Sequence, residues 1–455
     1  MLSGGLGHWW RPEESDRKIA GTLRTESTGP IRLELLDLLT NGHSSNRYPV
    51  VLGTTADGLP VTLEDLQQIE RHSRSSRKLQ EPVELETLTP RIAFLGAHLP
   101  SEEDRTFKSA VIDLTDLLLW AGPSGFRATY GHEPIEVTVS LTPPPAVETD
   151  LPLGRLSLVH GWSTTGDALR SRGIEKSVGF VVDLREPLAI ADWLSRVVNP
   201  LRHLLTFATG RPNEVDCLTF TTFRYDPDHG SDVEVLYPRA SHVQELPPGR
   251  EFEFLFDAGS LGNAFATTVE AWFHLYSRLG PVLDLFFGPR YRPVTFMENH
   301  FLNAVGAAEG YHRATFPNTL LPKAIHRERV AAVVEAAPAG HQAWLRKRLA
   351  YSNEPSLRQR IVDLHQRAAP IVDGVIGSAA EYVPSVVRMR NSLTHRGTST
   401  RKLPTSGRDL LRLTEQTNLL LTVCLLLDLG LDEDFAGEAI RRTRGFRLLT
   451  EASRP

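Results

Sequence analysis

The sequence predicts an α+β protein in which a β-rich N-terminal region precedes an all-α helical bundle. Before residue 250, short segments alternate apolar and polar side chains, with frequent proline, glycine and threonine, as in strands that bury one face. From residue 260 onward, apolar residues recur at steps of three and four, the period of an amphipathic helix. This change predicts two domains, residues 1–250 and 251–455, joined at ELPPGREFEF, with a candidate subdivision of the first near residue 160.

The N-terminal region is predicted to consist mainly of short strands. The segments with strand spacing are IAGTLRT, IRLELL, PVVLGTT, IEVTVSL, GRLSLVHGW, KSVGFVVDL, DCLTFTTFRYD and VEVLYP. Two segments interrupt them: LEDLQQIERHSRSSRKL is predicted to be helix-like or mixed, and IADWLSRVVNPLRHLLTFATG is predicted to be a helix. Trp9 and Trp10, near the start of this region, are predicted to pack in the core or at the domain edge, and the alternative is a base-stacking platform.

Seven helices are predicted in the C-terminal region. Their sequences are LGNAFATTVEAWFHLYSRLGPVLDLFF, FMENHFLNAVGAAEGYHR, AIHRERVAAVVEAA, GHQAWLRKRLAY, SLRQRIVDLHQRAAPIV, VVRMRNSLTHRG and GRDLLRLTEQTNLLLTVCLLLDLG. In the first of them, apolar residues at three- and four-residue steps mark one buried face.

The charge balance argues against a global attraction to nucleic acid. The 455 residues include 50 lysines and arginines against 55 aspartates and glutamates, a net charge of -5. A binding site for a polyanion must therefore be local. The length fits two or three domains.

The cysteines and the apolar runs predict a cytoplasmic protein without a membrane segment. Cys217 and Cys424 lie in apolar surroundings far apart in the sequence, which predicts buried thiols in a reducing compartment. The N-terminus has no basic start and apolar stretch of a signal peptide. The longest apolar run, Leu419 to Leu427, is about half of the roughly 20 residues that a bilayer requires.

The segment VVRMRNSLTHRG contains the most unusual pattern in the chain. On a helical wheel Arg390 lies near the middle of a stripe with valines such as Val383 and Val387, and Asn391 and His395 lie four residues apart at its edge. Gly397 is placed as a helix C-cap. One interpretation is structural, with Arg390 paired to a buried carboxylate and His395 as a capping cation. The other interpretation is that these residues act on RNA, because RNA chemistry uses local positive charge together with a titratable group.

Three parts of the sequence carry a resemblance to a known family. RNSLTH, from Arg390 to His395, matches the arginine, polar residue, three variable residues and histidine of the HEPN ribonuclease superfamily. ENHFLNAVGAAEGYHR resembles the preceding helix of ApeA-like HEPN domains. GHWWRPEESDRKIAGTLRTESTGPIRLELL and KSAVIDLTDLLLWAGPSGF are similar to the domain that precedes HEPN in ApeA anti-phage proteins. The chain thus resembles an ApeA-like HEPN protein over most of its length.

The resemblance implies a metal-independent endoribonuclease that needs no cofactor. The 2′-hydroxyl of RNA would attack the adjacent phosphorus and leave a cyclic phosphate and a 5′-hydroxyl. His395 has the pKa range for proton transfer, Arg390 can neutralise the phosphorane oxygens, and Asn391 can hold His395 or a phosphate oxygen. The sequence shows no phosphate-binding loop, GxSxG elbow, HExxH motif or paired-cysteine zinc site.

Further residues and partners follow from the same resemblance. Arg388 and Arg396 would contact RNA, with tRNA among the candidate substrates. His312 would either contact RNA from a cleft or have a structural role. A homodimer or larger assembly is expected, because each chain supplies one motif histidine for two proton transfers. The N-terminal region would sense an invader or restrain the helical domain, with a phage-derived trigger. The alternative is a catalytically silent HEPN module that binds RNA or supports oligomerisation.

Overall fold

The computed structural model describes most of the chain as two compact units. The described residues are 5–25, 29–40, 46–74, 83–132, 135–167, 169–222, 231–237, 253–292, 295–394 and 407–451. The first unit, here the sheet unit, comprises Met1–Thr206, Pro212–Gly249 and Asp257–Ala266. The second, here the helical unit, comprises Phe207–Arg211, Arg250–Phe256 and Thr267–Pro455. The predicted α+β class is confirmed. The predicted junction at residues 250 and 251 lies outside the described residues.

Fourteen antiparallel strands are described in the sheet unit. Their bounds are β1 Gly5–Trp10, β2 Ile19–Arg24, β3 Arg32–Leu35, β4 Arg47–Thr55, β5 Pro60–Arg74, β6 Val83–Leu95, β7 Thr106–Leu114, β8 Phe126–His132, β9 Ile135–Leu141, β10 Val147–Leu151, β11 Gly154–Thr165, β12 Gly173–Ala189, β13 Val215–Thr222 and β14 Ser231–Leu236. Twelve form one sheet in the order β10-β11-β12-β7-β13-β14-β6-β3-β2-β1-β4-β5, and β8 pairs only with β9.

The first six strands close into a ring. Because β5 pairs with β6 as well as with β4, the order β6-β3-β2-β1-β4-β5 returns to β6. The interior of this barrel is one apolar cluster that includes Trp9, Leu33, Val51 and Leu63. The Trp9 indole N–H donates to the carbonyl oxygen of Gly21 at 3.2 Å, which satisfies its only buried polar atom. The predicted core role of Trp9 and Trp10 is confirmed, since both side chains are buried.

The helix-like prediction for LEDLQQIERHSRSSRKL is wrong over its described part, which is strand β5. Leu63 and Leu66 are both buried although they are three residues apart. Between them Asp65 has φ 54, a value rare for a residue with a side chain. This local departure from extended backbone interrupts the two-residue alternation of a strand and produces spacing that resembles a helix.

The prediction of two buried thiols is half wrong. Cys424 is buried, but Cys217 is exposed, and both are free. The pairing of β13 with β7 shifts register between Val215 and Cys217. Such a bulge changes the face to which the following side chains point. The apolar neighbours of Cys217 in sequence therefore do not bury it.

Four short helices accompany the strands. They are α1 Leu117–Trp120, α2 Ile190–Trp193, α3 Asn199–Thr209 and α4 Ala258–Leu261. A π-helical stretch, Leu194–Val198, joins α2 to α3, so the helix predicted in IADWLSRVVNPLRHLLTFATG is confirmed.

The helical unit contains nine further described helices. Their bounds are α5 Phe265–Tyr291, α6 Met297–Thr315, α7 Lys323–Glu335, α8 Ala339–Leu349, α9 Leu357–Ile376, α10 Ala379–Thr394, α11 Gly407–Asp428, α12 Glu433–Arg442 and α13 Arg444–Glu451. The seven predicted helices are α5 to α11. The last two, α12 and α13, were not predicted. Within α5 the backbone leaves helical geometry at Gly280, because the proline ring of Pro281 excludes a regular turn before it.

Helix α11 is the core of the helical unit and packs against α6, α9, α12 and α13. It is the one described helix long and apolar enough to cross a membrane by length and composition, and 72% of its apolar window is buried. A helix buried on nearly all sides by protein has the features of a core helix.

Candidate functional site

The described part of the HEPN-like motif lies in the last turns of α10. Arg390 is partly exposed and Asn391 is exposed. The Nη1 atom of Arg390 donates to Oδ1 of Asn391 at 3.2 Å. No carboxylate among the described residues forms an ion pair with Arg390. The buried ion pair of the structural interpretation is thus not seen within the described residues.

The apolar stripe of α10 is broader than the sequence analysis expected. Its buried residues are Tyr382, Val383, Val386 and Met389, whereas Val387 is only half buried. Tyr382 and Met389 extend the stripe away from Arg390, so Arg390 lies towards one side of it rather than at its middle. The guanidinium can therefore reach solvent while the helix remains packed.

Three hydrogen bonds hold the start of α10 in place. Gly377 has φ 86 and ends α9, a conformation that suits glycine. Nε2 of His365 donates to the carbonyl oxygen of Gly377 at 2.9 Å. Nε2 of Gln416 donates to the carbonyl oxygen of Ile376 at 2.9 Å. The hydroxyls of Tyr382 and Thr417 lie 2.9 Å apart. The position of Arg390 is thus set by side chains of α9 and α11.

The remaining predicted residues divide into three groups. Arg388 is exposed on α10, where a phosphate could reach it. His395, Arg396 and Gly397 lie outside the described residues. His312 is on α6 and is fully buried. The roles assigned to these residues stay predictions.

The surroundings of His312 favour the structural role that the sequence left open. Nη1 of Arg360 lies 3.0 Å from Nδ1 of His312, and Nε2 lies 2.8 Å from Oδ2 of Asp363. Because a guanidinium only donates, Nδ1 must accept and Nε2 must carry the proton. The imidazole is therefore neutral. Burial lowers the pKa of His312, although its hydrogen bond to Asp363 opposes the shift. The ring stacks on Phe316 at 4.6 Å between centroids.

A second buried polar group joins α6, α9 and α11. The Tyr311 hydroxyl donates to Oδ2 of Asp428 at 2.5 Å, and Arg367 forms an ion pair with the same carboxylate. Nη1 of Arg367 also donates to the Tyr311 oxygen at 3.1 Å. Burial is the main cause that raises the pKa of Tyr311, so the phenol remains a proton donor. Neither this group nor the Arg360 partner of His312 was predicted from the sequence.

One sequence signal could have revealed both groups. Arg360, Asp363 and Arg367 recur on α9 at i, i+3 and i+7, which places them on one helix face. Three charges on one face next to the apolar stripe indicate partners on neighbouring helices. Within the described ranges, no three His, Cys, Asp or Glu side chains come together at metal-ligand spacing.

Comparison with known families agrees with the arrangement of the two units. The family model described as ApeA N-terminal domain 1 matches residues 6–272. The model described as Apea-like HEPN matches residues 302–435, which include α10. The chain therefore belongs to the ApeA-like HEPN family of anti-phage defence proteins. No curated protein and no solved structure matches it.

Proposed function

We propose that the chain is a metal-independent endoribonuclease of anti-phage defence, with Arg390, Asn391 and His395 as its catalytic residues. The observation that supports this most is the state of Arg390. An arginine on a packed helix, partly exposed and without a described acidic partner, keeps most of its N–H groups available for a phosphate.

The chemistry needs a proton acceptor, a proton donor and a cation. A base removes the proton of the 2′-hydroxyl, the resulting oxygen forms a bond to phosphorus, and the bond from phosphorus to the 5′-oxygen breaks. A proton is then delivered to that leaving oxygen. His395 suits one of the proton transfers. Arg390 neutralises the charge on the non-bridging oxygens. Asn391 accepts a hydrogen bond from one N–H of the guanidinium and so orients its other N–H groups.

The experiment uses the full chain, total tRNA, other cellular RNA and excess EDTA. We expect cleavage that persists in EDTA and is lost in His395→Ala. The new 5′ ends should accept phosphate from a polynucleotide kinase without prior phosphatase treatment, because they are hydroxyls. The protein would be purified from cells before and after phage challenge. If neither preparation of the wild-type chain cleaves RNA, the result favours a silent RNA-binding module.

The active form is proposed to be a homodimer or an assembly of dimers. Proton removal and proton delivery occur on opposite sides of phosphorus, and the motif supplies one histidine per chain. A two-fold axis would bring a second His395 to the same phosphate. Wild-type and His395→Ala chains would be mixed and allowed to exchange. If both histidines are needed, activity should fall roughly as the square of the wild-type fraction, whereas a linear fall would contradict a shared site.

The sheet unit is proposed to recognise a phage-derived trigger or to restrain the helical unit. The protein is proposed to act in the cytoplasm. None of the predicted catalytic residues lies in the sheet unit. This division of labour is consistent with the separate match of residues 6–272 to an N-terminal domain.

A further inference from the structure

The hairpin of α7 and α8 carries an exposed surface that the HEPN-like motif does not account for. Residues 320–353 contain six lysines and arginines and two glutamates, in a chain whose net charge is -5. From residue 336 to residue 353 there is no acidic residue. The hairpin is therefore locally basic within an acidic protein.

Two cations of α8 lie between two aromatic side chains along one side of the helix. Trp344, Lys347 and Arg348 follow one another at i, i+3 and i+4 and are all exposed, so they share a face. Tyr351 follows in the turn that ends the helix. These four residues are here called the basic-aromatic stripe. The stripe extends over about two helical turns.

The aromatic rings of the stripe are unusually exposed. Trp344 is 60% exposed and Tyr351 is 77% exposed. Five of the seven tryptophans are buried, and only Trp162 of the sheet unit is comparably open. A single exposed apolar side chain is common, but two exposed rings beside two exposed cations form a surface that suits an anionic ligand with flat rings.

The leucine side of α8 lies against α7 and is less exposed than the stripe. Leu345 and Leu349 are half buried, and a cavity of about 390 Å³ between α7 and α8 is lined by residues such as Val330, Val333 and Leu349. The hairpin therefore packs through its apolar face and presents the stripe to solvent. Within the described ranges, no carboxylate pairs with Arg346, Lys347 or Arg348.

We propose that the basic-aromatic stripe binds single-stranded RNA, as a substrate-binding surface separate from the HEPN-like motif. Cations follow a phosphate backbone, and aromatic rings stack on unpaired bases. A duplex hides the faces of its bases, so rings of this kind favour single strands. The substrate role rests on the proposed ribonuclease function, whereas the binding itself does not.

The experiment measures binding separately from cleavage. A fluorescent single-stranded oligoribonucleotide of about 12 nucleotides, within the range of known single-strand sites, is titrated with full-length protein that carries His395→Ala. Trp344→Ala in that background should weaken binding about 5- to 140-fold, the range expected for loss of one stacked base. Trp344→Phe keeps a ring and should retain most of the affinity.

The charge component is tested by salt dependence. Replacing Lys347 and Arg348 together by glutamine should reduce the slope of log affinity against log salt by about 1.4, at about 0.7 per phosphate contact. The matched controls are Trp162→Ala, equally exposed but in the sheet unit, and Arg358→Glu, exposed on α9. Both should bind like the parent protein.

The binding, mass and cleavage results together decide the proposal. Loss of affinity in the stripe variants but not in the controls supports it. Stripe variants that bind RNA like the controls overturn it. It is also overturned if Trp344→Ala changes the mass measured by light scattering and leaves the RNA affinity unchanged, because the stripe would then be a contact between copies of the chain. A chain that binds through the stripe but cleaves no RNA would refute the ribonuclease and keep this site. If the chain cleaves RNA and Trp344→Ala has no effect on RNA binding, the ribonuclease function is kept and this binding site is refuted.

Discussion

The end of α10 and the junction of α6 with α9 each hold an arginine, in opposite surroundings. Arg360 is fully buried, donates to His312 and to Oδ1 of Asn318 at 2.6 Å, and lies beside Glu354. Arg390 is partly exposed, and among the described residues its guanidinium donates only to the side chain of Asn391. Residue type alone therefore does not separate a structural arginine from one that is proposed to be catalytic. What separates them is whether the N–H groups are already bonded to protein.

The largest expected effect is the loss of RNA cleavage in Arg390→Ala. Removing one cation that stabilises the transition state costs roughly 10²- to 10³-fold in rate. The free energy of unfolding should change by about 0.5 kcal/mol or less, because the side chain is partly exposed and unpaired. Arg390→Lys keeps the charge without the planar fork and should be intermediate. A fall of many degrees in the melting temperature of Arg390→Ala would make Arg390 structural and erase the contrast with Arg360.

The second prediction concerns stability rather than rate. Arg360→Ala leaves Nδ1 of His312 and Oδ1 of Asn318 without their donor, and breaking a buried charged network costs about 3–5 kcal/mol. Hydrogen exchange should be faster in α6 and α9. Arg358→Ala, two residues earlier on the same helix and exposed, is the matched control and should behave like wild type. Equal exchange in the two variants would contradict a structural role for Arg360.

The smallest expected effect is a dependence of stability on pH that arises from His312. Burial holds the folded pKa of His312 below its ordinary value, so the unfolded chain binds the proton more tightly. The contribution of His312 to the free energy of unfolding is complete above about pH 6.5. It decreases as the pH falls below that value, by at most about 1.4 kcal/mol per pH unit.

The comparison is between wild type and His312→Gln at pH 7.5 and pH 5.5. Glutamine can accept from Arg360 and donate to Asp363 but does not titrate, so its melting temperature should fall less on acidification. The same fall in both proteins would mean that His312 is not the residue that titrates.

Most of the secondary structure could be predicted because its periodicity is regular. Strands such as β2 and helices such as α9 follow alternating or three- and four-residue patterns throughout. Apart from the unpredicted helices α12 and α13, two errors occur where one residue breaks the pattern. Asp65 changes the spacing of β5, and the bulge before Cys217 changes which face of β13 is buried.

The candidate site was only partly predictable for a different reason. The hexapeptide locates Arg390 and Asn391 on a helix, but exposure depends on which neighbouring helices cover the stripe. Nothing local to α10 predicts that Tyr382 and Met389 widen its buried face. Likewise, the partners of Arg360 come from 42 and 48 residues away in the chain. The segment that contains Trp344 was predicted as a helix, and its lack of acidic residues is the sequence signal of its basic surface.

The position of β14 has a consequence for the order in which the chain acquires its structure during synthesis. This strand, Ser231–Leu236, pairs with β13 on one side and with β6 on the other, so it connects the six-stranded barrel with the remaining strands of the sheet. Residues of β6 near Leu95 must wait for a partner near Glu234, about 140 residues later in the chain. At roughly 5–20 residues per second, that segment of β6 stays an open edge for about 7 to 30 seconds. During that time this edge can pair wrongly with another extended segment.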